Sequence, residues 1–410
     1  MERKLASVRR IKELRPIKGA DLIELVIVDG WQCVTKKGEF AVGDLGVYFE
    51  IDSFLPLEPE FEFLEKSCKR KMGNEVGLRL RTIKLRGELS QGLMLPYSVV
   101  ERFFNEYCDN IRKIERNIFV LGADVTEILG VVKYDPPIPA QLSGAVKGNF
   151  PSFIRKTDQE RIQNLFDKYS REFADNNEEI IKELESKNSN GEYDKSINTL
   201  KENRTLNVIK DLEFEETLKL DGTSCTYYIA NVEQMNIKVT EEMEVIDNVY
   251  FGHCSRNLES KEGDSTPWQI ARELKIKEEM HNFHSKTGKN IAFQGELMGP
   301  KIQGNRENLQ KPAFYLFEIW NIDEQRYFTP EERMDILKSF TNIEQVPVLA
   351  EKIKPFQMFK TIEEILEYAK GSSIYHKIRE GIVFKSTTLV KGVTISFKAI
   401  NNDFLLKGGS

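Results

Sequence analysis

A run of prolines about a third of the way along the chain, Asp135-Pro136-Pro137-Ile138-Pro139-Ala140, constrains the fold more than any other feature. Proline lacks the amide hydrogen that helices and sheets both use, and it biases the preceding residue away from helix. No continuous element crosses such a stretch, so the chain divides there. The expected domains are 1–137 and 151–410, with 138–150 as the linker. The sequence has 410 residues, of which 40% are hydrophobic and 30% charged, so each part is long enough to enclose its own core.

Before the prolines the pattern is all-β. Ile23-Glu24-Leu25-Val26-Ile27-Val28, Trp31-Gln32-Cys33-Val34 and Leu45-Gly46-Val47-Tyr48-Phe49-Glu50 read as strands separated by Gly and Asp turns. Many short strands predict a small closed or partly open barrel, which the stretch Gly87–Pro96 would continue. Its most basic part is Lys69-Arg70-Lys71 followed by Leu78-Arg79-Leu80-Arg81-Thr82-Ile83-Lys84-Leu85-Arg86. Arg79 and Arg81 take odd positions whereas Lys84 and Arg86 take even ones. A β-bulge between them would place all four cations on one face. Such a face is either simply solvated or a groove that tracks phosphates.

After the prolines, Ile162, Leu165, Phe166, Tyr169 and Phe173 repeat at helical spacing. Residues 176–207 are rich in Glu, Lys and Asn, which predicts a charged helix within a flexible insertion. Beyond them strands alternate with a few helices: one opening at Pro267 and carrying Leu274, Ile276, Met280 and Phe283, and others near 331–340 and 362–369. The expected class is therefore α+β, a barrel followed by antiparallel sheets flanked by helices.

Composition excludes several functions. The net charge of −6 offers no global attraction to nucleic acid, so any such partner is held by local patches. The five cysteines are scattered, with no Cys-x-x-Cys pair, which argues against a disulfide framework and against a zinc site. His281 and His284 stand one helical turn apart with no Cys or carboxylate nearby in sequence, and are read as a solvated helix face. No apolar leader or membrane-length run is present, and a cytoplasmic or nuclear location is expected.

The chemistry centres on Thr217-Leu218-Lys219-Leu220-Asp221-Gly222-Thr223. A lysine between apolar neighbours, at the mouth of a core strand, costs stability unless its amine is used. Glycine permits a tight turn and close backbone approach. Alone, Lys-x-Asp-Gly is more often an ordinary turn than a site. Four later elements change that balance: Arg256 after a strand, the run Gly295-Glu296-Leu297-Met298-Gly299-Pro300-Lys301-Ile302-Gln303, the aromatic strand Tyr315-Leu316-Phe317-Glu318, and Glu380-Gly381-Ile382-Val383-Phe384-Lys385 followed by Ser396-Phe397-Lys398. Charged residues at the ends of several hydrophobic strands make a pocket. Cations suit phosphates, carboxylates suit a hydrated metal and ribose hydroxyls, and an aromatic ring suits a base.

In that order these elements resemble the motifs of the covalent nucleotidyltransferases, which include polynucleotide ligases and mRNA capping enzymes. Gly295–Gln303 looks most like the RNA ligases. The preceding barrel, the linker Lys133-Tyr134-Asp135-Pro136-Pro137 and the run Phe150-Pro151-Ser152-Phe153-Ile154-Arg155-Lys156-Thr157-Asp158 resemble the ATP-dependent RNA ligases of the Deinococcus and Naegleria type. The resemblance implies that Lys219 takes AMP from ATP, with Mg²⁺ or Mn²⁺. It implies that Arg256 and Glu296 hold the ribose, that Leu218 lines the nucleotide pocket, and that Phe317 stacks on adenine. Asp221, Glu296 and Glu380 would meet the metal, mainly through waters. Lys398, and Lys385 with it, would stabilise charge on the α-phosphate. The family's last motif carries two lysines one residue apart, but here Ser396 and Ile400 occupy the positions at that spacing from Lys398. Either another cation substitutes or one step is slower.

The expected partner is a nicked duplex containing RNA, held by Arg79, Arg81, Lys84 and Arg86, with the enzyme a monomer and no membrane association. DNA ligases and capping enzymes place their barrel after the last lysine motif, and few residues follow Lys398 here. A binding scaffold without catalysis is the alternative from another class.

Overall fold

The computed structural model describes residues 4–100, 102–103, 121–135, 144–157, 159–165, 180–188, 191, 193–194, 196–197, 209 and 211–407. The chain separates into two compact units, residues 1–139 and 140–410. Within the sequence-expected linker, Val146–Asn149 pairs as an antiparallel strand with Leu258–Ser260 and belongs to the second unit's sheet. The prolines 136, 137 and 139 lie outside the described residues, as do Phe166, Tyr169, Phe173 and most of the charged insertion.

In the first unit, strand Leu45–Phe49 pairs antiparallel with both Ala6–Arg10 and Leu93–Pro96. Glu13–Pro16, Ile23–Val28 and Trp31–Lys36 form a three-stranded sheet. Alternation explains the burial: Trp31, Cys33 and Thr35 point inward, with Gln32 and Val34 partly exposed between them. Among the described residues the strands form four small sheets, not one closed ring. The basic segment also departs from expectation. Arg79 ends strand Glu75–Arg79, whereas Thr82–Leu85 opens a two-stranded ribbon with Glu88–Gln91. The break occurs at Leu80, whose backbone donates to Ser53 O at 2.9 Å and accepts from Asp52 N at 2.9 Å. Arg79 and Lys84 therefore sit on two different sheets, Arg81 lies between their strands and Arg86 in the turn that follows, and no bulge aligns the four in one strand.

The second unit is built on two sheets. The larger has nine strands, with the path Val146–Asn149, Leu258–Ser260, Val249–Cys254, Thr223–Asn231, Ile291–Met298, Ala313–Asn321 and Arg326–Tyr327. The smaller has five: Glu160–Arg161, Ser396–Ile400, Gly381–Ser386, Phe214–Lys219 and Val348–Ile353. Pairing is antiparallel except for two short parallel pairs. Helices Thr266–Glu273 and Ile276–Thr287 bury Trp268, Ile270, Met280 and Phe283 against Tyr227, Phe251 and Phe293 of the large sheet. Sequence periodicity had joined these two helices, but Lys275, in the left-handed region at φ 54°, breaks them apart. Helix Pro330–Leu337 begins where expected: Thr329 accepts from Glu332 N, Glu332 reaches back to Thr329 N, and Pro330 takes the first turn.

One predicted helix is not helical at its start. Glu160–Arg161 pairs as a strand beside Ser396–Ile400, and Ile162–Asn164 is a single 3-10 turn. Ile162 and Leu165 are buried against Phe384 and Phe397, so tertiary packing used these apolar residues without a helix. Among the described residues no helix is long and apolar enough to cross a membrane.

Candidate active site

Lys219 is the last residue of the small sheet's strand Phe214–Lys219, and Thr223 is the first of the large sheet's strand Thr223–Asn231. The turn Leu220-Asp221-Gly222 therefore carries the chain from one sheet to the other, and the nucleophile candidate sits at their seam. Gly222 has no substitute here: a Cβ would lie 2.5 Å from Leu297 O and 2.9 Å from the Glu296 side chain. That closeness lets Gly222 N donate to Glu296 Oε1 at 3.0 Å.

Both sheets contribute to the Lys219 amine. Opposite Lys219 in register lies Gly381, which places the preceding Glu380 carboxylate 2.7 Å from Lys219 Nζ. Glu296 comes from the large sheet, paired in register with Ser224. Burial pulls the lysine toward neutrality, but the carboxylates of Glu380, Glu296 and Asp221 outweigh it and hold the pKa above the ordinary lysine value. Left to its own residues, the site thus keeps Lys219 as an ammonium. The carboxylates carry the converse strain. Burial, with Glu380 adding repulsion, pushes Glu296 up to about 8 against the opposing pull of Lys219. Burial and Glu380 likewise raise Asp221, opposed by Arg306 and Lys219.

A stability prediction follows for Glu296. An acid whose folded pKa lies above its ordinary 4.5 stabilises the fold fully below that value and loses the contribution as pH rises to about 8. Glu296→Gln removes the titration, a difference on the order of 5 kcal/mol. Thermal unfolding in EDTA should show the variant gaining Tm relative to the parent at pH 8.5 but not at pH 4.5. An equal offset at both pH values would remove this account.

The nucleotide-facing candidates are also brought together. Leu218 and Phe317 pack in one apolar cluster with Leu220, Met298, Tyr315 and Val346. Phe317 is the extra residue of a β-bulge: Gln294 pairs with Glu318 and Gly295 with Leu316, leaving Phe317 unpaired between them. Bulges re-aim a side chain, and this one takes Phe317 out of the regular alternation of its strand. Lys385 is buried, donates to the Phe317 carbonyl, and lies 3.3 Å from Glu318 Oε1. Burial lowers its pKa, with Glu318 opposing. Lys385 thus sits beneath Phe317. A second buried pair adjoins it: Arg333 Nη2 bonds both Glu215 oxygens at 2.9 and 2.6 Å, and Arg333 Nε bonds Gln345 Oε1 at 3.0 Å. Neither Arg333 nor Glu215 was singled out from sequence, since a long-range pair leaves no local spacing.

Lys398 lies on strand Ser396–Ile400, opposite Val383 on one side and Arg161 on the other. Arg161, which the sequence reading did not single out, is therefore a cation in register beside Lys398. Arg256 is exposed just beyond strand Val249–Cys254, at the end where Cys254 pairs with Thr226. Nearby, Lys156 Nζ reaches Asn257 Oδ1 at 3.2 Å and Thr157 Oγ1 lies 3.4 Å from Ser224 Oγ. In the first unit, Arg79 pairs with Asp52 at 2.7 Å and stands 4.5 Å over the Tyr134 ring. Arg81, Lys84 and Arg86 are exposed.

Among the described residues no three His, Cys, Asp or Glu side chains converge as direct metal ligands. Three carboxylates crowded around one ammonium fit a divalent ion held through its water shell instead. His281 and His284 are partly exposed on helix Ile276–Thr287, and the buried Cys33, Cys225 and Cys254 are free thiols.

An amine ringed by carboxylates at the seam of two sheets, beside an aromatic bulge, defines a nucleotidyltransferase-type site. Comparison with known proteins agrees. A family model described as RNA ligase matches residues 212–400, and one described as an OB-fold domain matches residues 5–97. Solved structures of a Naegleria gruberi RNA ligase are similar over 99% of both chains: a mutant with AMP and Mn at 37% identity and TM-score 0.66, and a form with PPi at 38% and 0.64. No curated protein sequence matches. The chain belongs to the RNA ligase family. It is a polynucleotide ligase with an N-terminal OB-fold domain followed by a sheet-rich α+β domain.

Proposed function

We propose that this enzyme uses ATP to seal 3′-hydroxyl/5′-phosphate breaks, its substrate being a nicked duplex with RNA on the 3′-hydroxyl side. The observation that carries the reading is Lys219 Nζ on Glu380, with Asp221 and Glu296 around it, at the end of a core strand. The similar Naegleria proteins were solved with AMP or ATP and Mn, which supports ATP and Mg²⁺ or Mn²⁺ here. Asp221, Glu296 and Glu380 would hold the hydrated ion. Bound there, it supplies positive charge that offsets the three carboxylates, leaving burial to favour the neutral amine.

Lys219 Nζ loses a proton and attacks the α-phosphorus. A nitrogen–phosphorus bond forms as the bond to pyrophosphate breaks. A 5′-phosphate oxygen then displaces the lysine to give an adenylylated strand, and the 3′-hydroxyl displaces AMP to close the backbone. Phe317 stacks on adenine with Leu218 beneath, while Arg256 and Glu296 engage the ribose. Lys398, with Arg161 at its side, neutralises the α-phosphate. Lys385 supports the reaction by fixing Phe317. The protein acts as a monomer, in the cytoplasm or nucleus.

Incubation with α-labelled ATP and Mg²⁺ tests this reading: covalent label on Lys219 is expected. Transfer from GTP alone would indicate a capping-type enzyme, and no label a scaffold. Sealing of nicks with RNA or DNA placed independently on each side of the break tests the strand preference.

Nick binding is assigned to the first unit's cations. Each phosphate neutralised contributes about 0.9 to the slope of log affinity against log salt. Replacing Arg81, Lys84 and Arg86 with Ala should flatten the slope by about 2–3, while Arg79→Ala, already paired with Asp52, should change it by less than about 1. An unchanged slope in the triple variant would remove these residues from the interface.

A further inference from the structure

Arg306 is claimed by none of the roles above, yet it touches the Lys219 turn. Its Nε lies 3.2 Å from Asp221 Oδ2, with only 20% and 16% of the two side chains exposed. One face of its guanidinium is covered: Cζ stands 4.2 Å from the centroid of Phe404, a buried ring on the helix Asn402–Leu406. That helix is itself tied to the site. Asn401, its N-cap, donates its backbone N–H to Glu380 O at 2.9 Å and its side-chain amide to Arg379 O at 3.0 Å. A closed circuit therefore runs from Asp221 through Arg306, Phe404 and Asn401 to Glu380, with Lys219 between its ends.

The loop that delivers Arg306 is built at a cost. Lys301, Gln303 and Asn305 all have positive φ, at 68°, 43° and 46°. Non-glycine residues there cost on the order of 1 kcal/mol each and persist only where the surroundings impose them. The surroundings do so. Asn305 Nδ2 donates to Leu309 O at 2.9 Å and its Oδ1 accepts from Leu309 N at 3.0 Å. Glu307, buried, accepts from Tyr375 N at 2.6 Å. Asp221 and Glu380 are like charges flanking one amine, so Asp221 needs a counter-cation to keep its position beside Lys219. Arg306, stacked on a fixed ring, is a pre-organised one.

The geometry points to Arg306 as a positioning residue for lysine adenylylation: clamped on Phe404, it holds Asp221 in place beside Lys219. This rests on the function proposed above. With the clamp gone, Asp221 is free to swing, and a misplaced group at a reacting centre costs on the order of 100-fold in rate. Because Arg306 acts through Asp221, the loss falls on the rate at saturating ATP and leaves half-saturation nearly unchanged.

The experiment is single-turnover lysyl-AMP formation across ATP concentrations, with the parent measured first in the same assay. Failure of the functional reading then shows as no parental adduct, separate from failure of this assignment. Arg306→Met should lower the maximal rate about 10–100-fold with half-saturating ATP within about 3-fold, and Arg306→Lys should recover most of the loss. Phe404→Leu, which keeps the guanidinium but removes its platform, should slow the step about 3–10-fold and covers the case in which Arg306→Met does not fold. The assignment is overturned by Arg306→Met reacting at the parental rate, by Arg306→Lys being as slow as Arg306→Met, by a change confined to half-saturation, or by Phe404→Leu being indistinguishable from the parent.

Discussion

Lys219→Ala should lose covalent AMP transfer by at least about 10⁴-fold, equivalent to about 5.4 kcal/mol of barrier, while the chain still folds and binds nicked duplex. The size follows from the chemistry: the substitution deletes the attacking atom, and no neighbour replaces it. Glu380, Glu296 and Asp221 are carboxylates, and Lys385 is buried against Glu318. Stability should fall at neutral pH, because the carboxylates of Glu380, Glu296 and Asp221 stay crowded together without the ammonium that pairs with them. A supplied 5′-adenylylated strand bypasses the first step, so Lys219→Ala should retain sealing of that substrate. Label retained at another residue would refute the assignment, as would loss of sealing on the adenylylated strand in a folded variant.

Arg333→Met should destabilise the second unit by about 3–5 kcal/mol, because it strands Glu215 as an uncompensated buried charge. The two side chains are 2% and 6% exposed, so solvent cannot replace the lost guanidinium. For a domain of this size the loss corresponds to a fall in that unit's transition of about 10 °C. Pairing it with Glu215→Gln should restore much of the loss, since the buried charge then disappears with its partner. The consequence reaches the site: Glu215 pairs in register with Lys385, and Lys385 holds the Phe317 carbonyl. Weaker ATP binding should therefore accompany the lost stability in Arg333→Met. A double variant as unstable as the single one would show that packing, not charge, sets the cost.

How much of this was legible in sequence differs by residue. Lys219, Asp221, Gly222, Glu296 and Glu380 stood out because each breaks a local rule, a charge or a glycine at the edge of an apolar strand. Phe317 was visible as part of an aromatic strand, but its bulge was not, because a bulge is defined by the partner strand. Arg161 was not noticed. Its apolar followers Ile162 and Leu165 have helical spacing, and only the pairing of Glu160–Arg161 with Ser396–Ile400 shows that they serve a strand and turn. The four basic positions of the first unit were read as one bulged strand. Backbone pairing of Leu80 with residues 52 and 53 ends the first strand there, leaving Arg79 and Lys84 on different sheets and Arg81 and Arg86 outside both strands.

The sequence by itself determined the order of the motifs, the α+β class and the chemical types available to the site, because these depend on residue identity and local periodicity. Only the tertiary structure decided the charge state of Lys219 and the partners of Asp221 and Lys385. Those depend on distances between residues such as Lys219, Glu296 and Glu380, which lie far apart along the chain and meet only where the two sheets join. Burial and Coulomb interaction act through space, so no spacing along the chain records them.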